Sequence, residues 1–66
     1  SALKIAKFVY QKDRSNPAYN DTIGYVYLKS GNLKEAENYL KKAAMMSPFN
    51  YEISGHIKEL ELLKKN

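Results

Sequence analysis

Residues 16–48 read NPAYNDTIGYVYLKSGNLKEAENYLKKAAMMSP, and the fold turns on this stretch. Asn16-Pro17 is a helix start: asparagine accepts a hydrogen bond from a free first-turn amide, and proline fits the first helical position. Apolar and aromatic residues then recur at helical spacing until Ser30-Gly31-Asn32 interrupts them. Gly31 suits the left-handed turn that commonly closes a helix. Asn32 and Glu35 have the spacing of a capping box and open a further helix, which Ser47-Pro48 ends. The expected helices are Pro17 to Lys29 and Leu33 to Met46.

Outward from this pair, Leu3, Ala6, Val9 and Tyr10 fall on one helical stripe, which Ile5 and Phe8 widen. They predict a first helix from Ala2 to Asp13. Asn50 caps a fourth, expected from Tyr51 to Lys65. No segment alternates apolar and polar residues as a half-buried strand does. The chain therefore reads as all-α, with four helices joined by loops short enough to favour antiparallel neighbours.

Ile23-Gly24, Tyr27, Ala36, Leu40, Ala43 and Pro48 together resemble one tetratricopeptide repeat, a 34-residue helix-turn-helix unit. Ala2 stands 34 residues before Ala36, Val9 before Ala43, and Asn16 before Asn50. In the other direction Ile23 maps onto Ile57. The resemblance implies one complete repeat over residues 17–50. Residues 1–16 would be the second helix of a preceding repeat, and 51–66 the first helix of a following one or a capping helix. The expected object is a single right-handed α-solenoid domain, a piece of a longer array. Gly24, Ala36 and Ala43 read as small residues that let helices approach closely, with Ile23, Tyr27 and Leu40 filling the space between. Asn20 departs from the tryptophan of the pattern, and Leu40 from its phenylalanine. Arg14, Lys58 and Glu61 depart in the flanking halves, and Lys58 and Glu61 give the fourth helix the polar outer face of a cap.

In tetratricopeptide arrays the first helix of each repeat lines a concave groove for a protein or peptide partner. Carried onto this chain, the groove residues are Ala18, Asp21, Thr22, Tyr25, Leu28 and Lys29, with Glu52, Gly55, Glu59 and Leu62 from the fourth helix. The first six also follow three- and four-residue steps along one stripe. Tyr25 and Leu28 are the expected anchors. Some family members clamp a peptide's terminal carboxylate with lysines and asparagines. Asp21, Tyr25, Gly55 and Glu59 stand at the corresponding positions and argue against that ligand.

Composition bounds the alternatives. With 66 residues there is room for one small core and no second. No cysteine is present, so disulfides and thiolate metal sites are ruled out. No apolar run approaches the roughly 18 residues of a membrane span. The N-terminus lacks the arrangement of a secretion signal, and the cytoplasm is the default expectation. Net charge is +4. Lys4, Lys7, Lys12 and Arg14 against Asp13 place +3 of it in residues 1–16. That density is below the stripe of a nucleic-acid protein, so a solvated face is expected first and contact with an anionic surface or nucleic acid second.

Catalysis finds little support. His56 is the only histidine, set between Glu52 and Glu59, and reads as a satisfied surface or half-buried residue. Ser1, Ser15, Ser30, Ser47 and Ser54 mostly occupy caps and turns. Gly24, Gly31 and Gly55 are too scattered for a phosphate loop. The expectation is a non-catalytic interaction scaffold with no cofactor or metal. Self-assembly is the second reading, through Leu3, Ile5 and Phe8 at one end and Ile53, Ile57 and Leu60 at the other, giving a homo-oligomer.

Overall fold

Each helix begins where a side-chain oxygen meets the amides of its first turn. The computed structural model describes residues 1–65 and holds α1 (Ala2–Lys12), α2 (Pro17–Lys29), α3 (Leu33–Met46) and α4 (Tyr51–Lys64). Ser1 Oγ accepts from the Lys4 amide at 3.3 Å, and Asn16 Oδ1 from Tyr19 at 3.1 Å. Asn50 Oδ1 accepts from both Glu52 and Ile53. The expected boundaries hold for α2 and α3. Asp13 and Lys65 are C-caps rather than helical residues, so α1 and α4 each end one residue early. Asn66, the last residue of the expected fourth unit, lies outside the described residues.

Gly31 closes α2 as its sequence implied, at φ +86°. The turn carries two nested bonds: the Gly31 amide donates to the Leu28 carbonyl at 3.1 Å, and that of Asn32 to Tyr27 at 3.0 Å. This double closure satisfies carbonyls that a helix end would leave free. It also corrects the capping-box reading. Asn32 Oδ1 does accept from the Glu35 amide at 3.3 Å. The reciprocal bond from Glu35 does not form, because the Asn32 amide is already committed to Tyr27.

Contacts fix the helix directions. Across the α2–α3 interface Asn20 meets Met46, Gly24 meets Leu40 and Tyr27 meets Tyr39, so one number rises as the other falls. The pair is antiparallel. Across α2 and α4, Asp21 meets His56 and Lys29 meets Glu59, so the numbers rise together and these helices are parallel. Tyr10 of α1 lies edge-on to Tyr39 at 5.3 Å, which puts α1 and α3 on the same side of α2. The principal extents of 34 × 28 × 15 Å leave room for two helix layers.

The core follows the small-residue spacing. Ala36, Leu40 and Ala43 are fully covered, Ile23 is 1% exposed, and Ala6, Leu28 and Leu60 join them. A Cβ on Gly24 would stand 2.9 Å from Leu40 Cγ and 3.2 Å from the Leu40 backbone nitrogen. Only glycine lets these backbones approach so closely. Pro48 is exposed in the turn after α3, where it blocks further helix. Tyr39 is wedged between Tyr10 and Tyr27, and burial among them pushes its hydroxyl pKa above the usual tyrosine value. Asn20, where the repeat pattern has tryptophan, is buried and stitches the α1–α2 turn. Its Nδ2 donates to the carbonyls of Arg14 at 3.0 Å and Asn16 at 2.9 Å.

Lys64 of α4 reaches Glu37 of α3 at 2.7 Å, and Lys41 meets the other oxygen of the same carboxylate. The Lys41 and Lys64 hydrogen bonds pull the Glu37 pKa down to about 2. A carboxylate depressed on folding contributes stability that is complete above its unfolded value near 4.5 and is lost as pH falls toward 2. Glu37→Gln is therefore expected to flatten the acid limb of a stability-versus-pH curve between those limits. An unchanged acid limb in that variant would show that the bridge contributes nothing.

Candidate interaction face on α2 and α4

The face shared by α2 and α4 is built from about two turns of each helix. Residues 21, 25 and 29 are four apart on α2 and so lie in one row. On α4, positions 52, 56 and 59 form the facing row. Parallel packing brings the rows together. His56 Nδ1 lies 2.7 Å from Asp21 Oδ1, and the Tyr25 ring stacks on the imidazole with centroids 4.0 Å apart. One turn further, Lys29 Nζ reaches Glu59 Oε2 at 2.6 Å and sits 5.1 Å from the Tyr25 centroid. The Glu59 carboxylate, and secondarily Tyr25, hold the Lys29 ammonium above the ordinary lysine pKa.

An ionised carboxylate can only accept, so facing Asp21 the imidazole carries its proton on Nδ1. The stack and the bond together fix the ring's orientation, with only 21% of the His56 side chain exposed. Among the described residues Nε2 has no hydrogen-bond partner and is not fully enclosed. It therefore leaves a second ring nitrogen open toward solvent. His56 matches the expectation of a satisfied, half-buried residue, but its partner is Asp21 on another helix rather than Glu52 or Glu59. Nothing in the local spacing of α4 announces this. Only the 34-residue register, which lays α4 beside α2, could have paired positions 21 and 56.

The structure distributes the expected groove residues unevenly. Ala18, Thr22 and Lys29 are exposed on α2, and Glu52, Gly55 and Leu62 on α4. Tyr25 and Glu59 are half-buried at the centre. Two placements correct the sequence reading. Asp21 is only 8% exposed, bound under His56. Leu28, an expected anchor, is 2% exposed and belongs to the core. The stripe does run along one side of α2, but α4 lies across it and covers its inner members.

Two open depressions flank Lys29. One, of about 410 Å³, is lined by Leu28, Lys29, Gly31, Leu33, Glu59 and Leu63. The other, of about 460 Å³, is lined chiefly by Leu3, Tyr25, Val26 and Lys29. Ile5 and Phe8 at the N-terminal end are exposed as expected, but the C-terminal end differs from expectation. Ile53 and Leu60 are buried, so they cannot serve as free association surfaces. The exposed apolar side chains there are Leu62 and Leu63, with Phe49 and Tyr51 at the α3–α4 turn.

Among the described residues no cluster of three or more acidic or histidine side chains could hold a metal ion. Among the described residues no helix is long and apolar enough to cross a membrane. The chain matches no protein-family model, no curated protein and no solved structure.

Proposed function

We propose that this chain is a tetratricopeptide-type helical repeat unit that binds a protein or peptide partner, without catalysis, on the face shared by α2 and α4. The observation that carries this reading is the parallel alignment of two helices one repeat apart, which places Tyr25, Lys29, His56 and Glu59 on a common surface. Gly24 packed against Leu40, at the positions the repeat pattern requires, supports the family reading.

The partner would lie across the Lys29–Glu59 pair and place apolar side chains in the depressions on either side. Asp21 acts as a brace beneath His56 rather than as a ligand. Lys29 is engaged by Glu59, so the face offers no ready clamp for a terminal carboxylate. Tyr25 and Lys29 are the contact residues, with Thr22 and Glu52 at the rim.

The test is affinity capture with the wild type and a Tyr25→Ala/Lys29→Glu variant shown by circular dichroism to be folded. The captured partner is then remeasured with purified components. Loss of at least tenfold in affinity is expected, the scale of removing one anchor side chain of roughly 1–2 kcal/mol. Equal affinity for both proteins would move the binding surface away from α2 and α4.

A further inference from the structure

The molecule's charge is divided between its two layers. α1 carries Lys4, Lys7 and Lys12 with no acid, and α3 carries Lys34, Lys41 and Lys42 against Glu35 and Glu37. That layer sums to +4. On α2 Asp21 and Lys29 cancel, and on α4 Lys58 and Lys64 face Glu52, Glu59 and Glu61, giving −1.

Pairing is uneven in both layers: Lys58 of α4 has no salt bridge, and of the α1 and α3 lysines only Lys41 has one. Lys29, Lys41 and Lys64 are held in salt bridges. Lys4, Lys7, Lys12, Lys34 and Lys42 are all exposed and, among the described residues, meet no acid. On α1, positions 4, 7, 8, 11 and 12 follow three- and four-residue steps and form one outward strip. Its apolar members are bulky: Phe8 is 66% exposed, as is Ile5 at the strip's border, and Met45 on α3 is 83% exposed. The Lys12 ammonium stands 4.8 Å from the Phe8 ring centroid.

We propose that the outer side of α1 and α3 is a docking surface for an anionic lipid bilayer. The five unpaired lysines supply attraction to the headgroups, and Ile5, Phe8 and Met45 enter the boundary between headgroups and acyl chains. A nucleic-acid backbone would reward the same lysines, but it gives no return for burying isoleucine and methionine. The exposed apolar side chains therefore favour the bilayer. The surface leaves the α2–α4 face free, so the two functions are independent.

The experiment is co-sedimentation of the protein with phosphatidylcholine vesicles, with and without about one third phosphatidylserine. Binding is expected only to the anionic vesicles and is expected to fall steeply between about 0.05 and 0.5 M salt. Lys4→Ala/Lys7→Ala should weaken it about thirtyfold, at about a kilocalorie per lysine. Ile5→Ser/Phe8→Ser should weaken it about tenfold with the charge unchanged. Both pairs are exposed, and circular dichroism confirms that each variant stays folded. In a Phe8→Trp variant, emission should shift to the blue on anionic vesicles. Absence of binding to anionic vesicles at low salt would overturn the proposal. So would binding indifferent to Ile5 and Phe8, or tighter binding to a DNA duplex than to the vesicles.

Discussion

Leu40→Ala is expected to remove about half of the fold's stability. Leu40 is fully covered and fills the space beside Gly24 at the centre of the α2–α3 pair. Truncating a buried leucine costs about 2–5 kcal/mol, depending on how far the site collapses. A domain of this length has a total stability of only roughly 3–10 kcal/mol. Urea titration followed by circular dichroism reads the change, and a loss under about 1 kcal/mol would show that the site repacks freely.

The same contact gives a test of sign. Gly24→Ala alone gains about 1 kcal/mol of helix propensity. It also brings a Cβ within 2.9 Å of Leu40 Cγ, and overpacking of this kind typically costs about 1–3 kcal/mol. Net destabilisation is expected. In the Leu40→Ala background the Cγ and Cδ2 contacts are gone and only the 3.2 Å approach to the residue-40 backbone nitrogen remains, so Gly24→Ala should there cost less than in the wild type. An identical effect in both backgrounds would mean that the Leu40 side chain is not what requires glycine at position 24.

The second large effect is regional. Asp21→Ala removes the acceptor of His56 from a site where the two side chains are 11% and 21% exposed. A hydrogen bond to a charged group contributes about 1.5–3 kcal/mol. The other polar tie between α2 and α4 is the exposed Lys29–Glu59 pair, and exposed pairs are usually worth less than about 1 kcal/mol. α4 should consequently loosen before the α2–α3 hairpin does. Amide hydrogen exchange in Asp21→Ala is expected to rise along α4 while the central amides of α2 and α3 stay protected. A cycle with His56→Ala should show coupling of about 1 kcal/mol or more. Uniform acceleration across all four helices, or no coupling, would place the brace elsewhere.

How far the sequence could be read depended on the range of the interaction. Asn16, Asn32 and Asn50 act on amides two or three residues away, so their caps were visible in the chain. Gly31 and its two nested bonds are equally local. The need for a small residue at Gly24 was also legible, because the alanines of α3 recur at the matching spacing. The side shared by α2 and α4 was only half legible. Helical periodicity places Asp21, Tyr25, Leu28 and Lys29 on one side of α2, but it cannot show what lies across that side.

The sequence by itself determined four helices, their starts, their stops to within one residue, and the small-residue seam that joins α2 to α3. Those features depend on backbone geometry and on neighbours within a few residues. The 34-residue register already set α4 beside α2, but tertiary structure alone decided how closely the two pack, and with that the roles of the residues between them. Leu28 became core, Asp21 a buried brace and His56 an oriented ring. Burial and charge pairing depend on groups about 30 residues apart in the chain, whose meeting is settled only when the helices pack.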